Sequence, residues 1–75
     1  MHELNVTPIQ RLQLSERVIT GWEAQGGPRG RLGIIWEELS YLRRIALDEP
    51  ALIERVAAVI ERYERAASKL RSASN

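Results

Sequence analysis

Ile53, Val56, Ile60, Tyr63, Ala67 and Leu70 recur at strict three- and four-residue intervals, the a/d seam of a coiled coil. No other feature limits the fold as tightly, because a stripe with this period fits one face of an α-helix and no strand. Leu52, Val59 and Ala66 add a further row. The apolar face is then broad enough to pack on its own domain along one edge and on a second chain along the other. A chain of 75 residues lies near the size at which a lone core becomes marginal, so a shared core gains most. The seam therefore predicts a homodimer, with a core helix of a monomeric three-helix bundle as the competing interpretation. On the solvated side Glu61 and Arg65 form an i,i+4 pair in the favourable order, worth roughly 0.3 kcal/mol.

Two breaks separate this segment from the rest. Gly26-Gly27-Pro28-Arg29-Gly30-Arg31-Leu32-Gly33 reads as a loop, since glycine tolerates any φ and proline blocks helix continuation. Asp48-Glu49-Pro50 is the second break. Strong helix formers fill the intervals, and no segment alternates with period two long enough to be a strand. The class is all-α, with His2 to Val6, where Leu4 and Val6 share a side, leaving room for a small extended pair: one domain over residues 1–75, with a coiled-coil-like helix over 50–72. Thr7 caps the first helix, Pro8 fits its first position and Gln10 completes a capping box. The second helix runs from about Gly33 to Leu47. One of its faces carries Leu32, Ile35, Leu39, Leu42 and Ala46, and a second stripe carries Ile34, Tyr41 and Ile45. A helix with two apolar stripes contacts two things.

Within the first segment, Ser15-Glu16-Arg17-Val18-Ile19-Thr20-Gly21-Trp22-Glu23-Ala24-Gln25-Gly26 admits a more specific reading. Ser15 would cap a helix, Ile19 and Trp22 would anchor it one turn apart, and Gly26 would end it with φ > 0. The string resembles the recognition helix of helix-turn-helix regulators of the MerR-type and Cro-like kind. The likeness extends in outline to Glu37-Glu38-Leu39-Ser40-Tyr41-Leu42-Arg43-Arg44-Ile45 after a basic wing. It implies a helix-turn-helix-like part over residues 7–47 followed by a dimerisation helix. It also implies double-stranded DNA as ligand, with Glu16, Arg17 and Thr20 facing base edges and phosphates. Arg29 and Arg31 would touch phosphate as a short wing. Gln13 stands where that motif turns on glycine. The alternative is one continuous helix from Pro8 to Gln25, in which Gly21 costs about 1 kcal/mol against alanine. The backbone at Gln13 to Ser15 separates the two.

Several chemistries lack their residues. Cysteine is absent and the one histidine is His2, so a thiolate or imidazole metal site within the chain has no ligands. No base stands ready for a nucleophile, Glu61 and Glu64 read as a solvated face, and the chain is not expected to be an enzyme or to hold a cofactor. Gly27-Pro28-Arg29-Gly30 matches the G-x-x-G clamp of KH domains, but that fold needs strands, and a hinge between helices is the plainer reading. Eleven basic residues against ten acidic ones give a net charge of +1, too balanced for a basic tail. The longest apolar run is Val56 to Ile60 and no basic stretch precedes an apolar one at the start. A cytoplasmic chain without membrane contact is expected. Two functions remain: a small dimeric DNA-binding regulator, or a helical adaptor, inhibitor or chaperone-like module that binds one protein partner through Ile34, Tyr41 and Ile45.

Overall fold

The computed structural model of the chain describes residues 6–26 and 32–74. Helix α1 spans Pro8–Ala24. Thr7 opens it with the capping box that its sequence encodes. The Gln10 amide donates to Thr7 Oγ1 at 3.3 Å, and the Thr7 amide donates to Gln10 Oε1 at 3.1 Å. At the other end the Gln25 amide donates to the carbonyls of Gly21 and Trp22, and Gly26 turns the chain away with φ +89°. Only glycine adopts that conformation at little cost.

Helix α2 covers Leu32–Asp48. It stops because Glu49, held extended at φ −139° and ψ 83°, precedes Pro50. A single 3-10 turn, Pro50–Leu52, leads straight into α3, Ile53–Ser74. Side-chain contacts fix the directions. Arg11 meets Tyr41 while Ser15, four residues on, meets Glu38, and Trp36 near the start of α2 meets Arg71 near the end of α3, so α2 runs antiparallel to both neighbours. Glu16 meets Arg55 and Glu23 meets Arg62, so α1 and α3 run parallel. The result is an up-down-up three-helix bundle of all-α class with a long C-terminal helix.

Each helix contributes one face to a single core. Leu12 and Ile19 come from α1, Ile35, Leu39, Leu42 and Ile45 from α2, and Val56, Val59, Tyr63, Ala66 and Ala67 from α3. The Trp22 ring meets Tyr63 edge-on with centroids 5.6 Å apart, the geometry that the ring quadrupoles favour.

Two expectations change here. The seam predicted to meet a second chain is largely spent inside this one. Val56, Tyr63 and Ala67 are buried against α1 and α2, Ile60 and Leu70 are partly buried, and only Ile53 stands well exposed. A small bundle needs that face for its own core, so the broad stripe reports the domain interior. The turn at Gln13 to Ser15 is also absent: α1 is unbroken from Pro8 to Ala24. Nothing in Gln13-Leu14-Ser15 interrupts a helix, and Ser15 sits buried in mid-helix instead of at a cap.

Candidate functional site

Ser15 is wholly buried, and a buried hydroxyl must find partners. It donates to Glu38 Oε1 of α2 at 2.7 Å, while its backbone carbonyl accepts the Tyr63 hydroxyl of α3 at 2.7 Å. Arg11, one turn earlier, donates to both Glu38 oxygens at 3.3 and 3.1 Å. Its guanidinium also lies over the Tyr41 ring, 4.4 Å from the centroid. Burial and the charge of Glu38 push the Tyr63 phenol well above its ordinary value, so it remains a donor. This node ties all three helices together, and no buried side-chain nitrogen or oxygen among the described residues lacks a partner. It locks the bundle together.

The residues expected to face DNA are distributed differently. Glu16 accepts two bonds from Arg55 of α3, at 3.1 and 2.8 Å. Thr20 accepts from Arg62 at 3.0 Å, and the same guanidinium grips Glu23. That hydrogen bond, with the attraction of the Arg62 charge, holds the Glu23 carboxyl below its usual range. Arg17 is exposed on α1 and makes no ion pair among the described residues. Arg29 and Arg31 lie outside the described residues.

The partner stripe is divided as well. Ile45 belongs to the core, whereas Ile34 and Tyr41 stand exposed on the α1 side of α2. In the antiparallel register set by Arg11 on Tyr41, exposed Val18 comes level with Ile34. The groove on that side holds about 220 Å³ and mixes apolar residues with Arg11, Arg44 and Asp48.

The opposite side of α2 is different in kind. Between α2 and α3 lies a groove of about 330 Å³ lined by Ala46, Leu47, Ile53, Val56, Ala57 and Ile60, with Arg43 its one charged residue. Leu47 is 78% exposed and Ile53 55%, the highest values of any large apolar side chains among the described residues. The chain matches no family model, no curated protein and no solved structure.

Among the described residues no three His, Cys, Asp or Glu side chains gather as a metal set, and no helix is long and apolar enough to cross a membrane. Of the groove's lining, Ile53, Val56 and Ile60 belong to the seam that the sequence sets against a second chain, whereas Leu47 was missed because it stands just before a predicted break. A signal was present, since Leu47 lies off the α2 core face and three residues before Pro50.

Proposed function

We propose that this chain is a helical protein–protein interaction module with no nucleic-acid role, and that it docks through the groove between α2 and α3. The observation that carries this reading is the lining of that groove: six apolar residues and one arginine, with Leu47 and Ile53 open to water beside a bundle whose core is already complete. Apolar surface gathered in one place on so small a molecule favours association, since covering it removes area from water at about 25 cal/mol per Å². The DNA-binding reading has less support, because a recognition helix needs its first turns available, and here Glu16 and Thr20 are engaged by α3.

A photo-reactive amino acid placed at position 47, and separately at position 17, tests this in cells. The expected result is a protein adduct of defined mass at 47, identified by mass spectrometry, with no nucleic-acid adduct at 17. Nucleic acid captured at 17, lost steeply as salt is raised, would overturn the proposal.

A further inference from the structure

We propose that Arg65 and Lys69, above an apolar floor of Ile19, Trp22 and Ala66, receive a glutamate side chain of a partner protein. The site lies between α1 and α3, shares no residue with the α2–α3 groove and goes beyond that reading. A ladder of ion pairs leads to it. Arg55 holds Glu16 and Arg62 holds Glu23, so each rung joins a cation of α3 to the glutamate 39 positions earlier on α1. Lys69, seven residues beyond Arg62, is the cation of the next rung, about 10.5 Å further along α3. Its carboxylate is missing, because α1 ends at Ala24 and the sequence holds no Asp or Glu from Ala24 to Trp36. Lys69 accordingly has no ion pair among the described residues. Arg65 is held loosely, since Glu61 lies 3.9 Å away, beyond hydrogen-bond reach.

The hollow at this position holds about 70 Å³, room for a carboxylate and the short stem behind it. Ile19 and Ala66 are buried beneath it and Trp22 is half-buried beside them, while Arg62, Arg65, Lys69 and Glu23 form the rim. Three cations against one carboxylate give that rim a charge of +2, although the whole chain carries only +1. The hydrogen bond from Arg62 is the main reason that Glu23 titrates below its usual range, and the charges of Arg65 and Lys69 add to it. Both cations thus already favour a carboxylate at this rim. The basic excess continues along the same end of α3, where residues 65–75 contain Arg65, Lys69 and Arg71 and no Asp or Glu. An apolar floor under a cationic rim suits glutamate, whose methylenes cover the floor while its carboxylate takes the vacant rung. Inorganic phosphate brings the charge without the stem.

Titration of the full, isotope-labelled chain with a blocked tetraglutamate peptide, followed by amide chemical shifts, tests the site. Saturable shifts confined to Trp22, Glu23 and the segment Arg65 to Lys69 are expected. Lys69→Gln should weaken binding about fivefold, the upper range for a partly exposed pair. Arg17→Gln removes the same charge elsewhere and should leave binding within about twofold. Both side chains are exposed, so neither variant disturbs the core. The absence of a saturable shift overturns the site. Equal weakening by the two variants does so as well, because it reports general attraction to basic surface. Inorganic phosphate moving the same signals as strongly overturns glutamate as the ligand. Duplex DNA displacing the peptide has the same consequence, and it also removes the reading without a nucleic-acid role.

Discussion

A serine hydroxyl with no exposed surface is tolerable only where it is bonded, and Ser15 donates to the Glu38 carboxylate at 2.7 Å. An N-terminal cap accepts aspartate as readily as serine. A mid-helix position facing a carboxylate does not, because the new charge is buried beside one of like sign. Ser15→Asp is therefore expected to destabilise the chain by about 3 kcal/mol or more in urea denaturation, on the scale of a buried unpaired charge. A loss below about 0.5 kcal/mol, the scale of an ordinary surface substitution, would mean that the side chain has left this node. Gly21 points the other way. It lies inside α1 with nothing within 4 Å of where a Cβ would stand. Gly21→Ala should stabilise by about 0.5–1 kcal/mol in the same measurement, through helix propensity and the lost freedom of the unfolded chain.

Between elements, two arginine–glutamate pairs hold α1 parallel to α3. Glu16–Arg55 and Glu23–Arg62 repeat two turns apart on each helix, so both serve one alignment and neither fits a slipped register. Partly exposed pairs of this kind add little energy, and their value lies in direction. They do respond to acid. Because Arg62 lowers the folded-state value of Glu23, its stabilisation is present above the unfolded carboxylate range and is lost as pH falls through the folded value. Melting curves of wild type and Glu23→Gln should differ near pH 7, and the gap should narrow as pH falls below the ordinary carboxylate range. A gap independent of pH would show that the pair contributes through shape alone.

The whole molecule is small enough for each core side chain to matter. Leu39 is 1% exposed at the centre of the bundle, and Leu39→Ala is expected to cost about 2–5 kcal/mol. That is a large share of the roughly 5–15 kcal/mol typical of a domain. Thermal unfolding would show it as a much lower midpoint.

The three helices and their ends were legible in the residues, because helical period, proline, glycine and capping are local properties. Thr7 with Gln10, Pro8, Gly26 and Pro50 act within a turn or two of themselves, and each appears in the fold as its chemistry demands. The side of a helix that is apolar is equally local, so the α3 seam was readable. What the seam packs against was not. Val56, Tyr63 and Ala67 carry the same spacing whether they meet a second copy or their own bundle, and only the positions of α1 and α2 decide. The fate of Ser15 is of the same kind. Its sequence neighbours suit both a cap and a helix interior, and the partner that settles it, Glu38, arrives from another helix. Tertiary structure alone also left Leu47 and Ile53 in water, since exposure depends on what the rest of the chain has already covered.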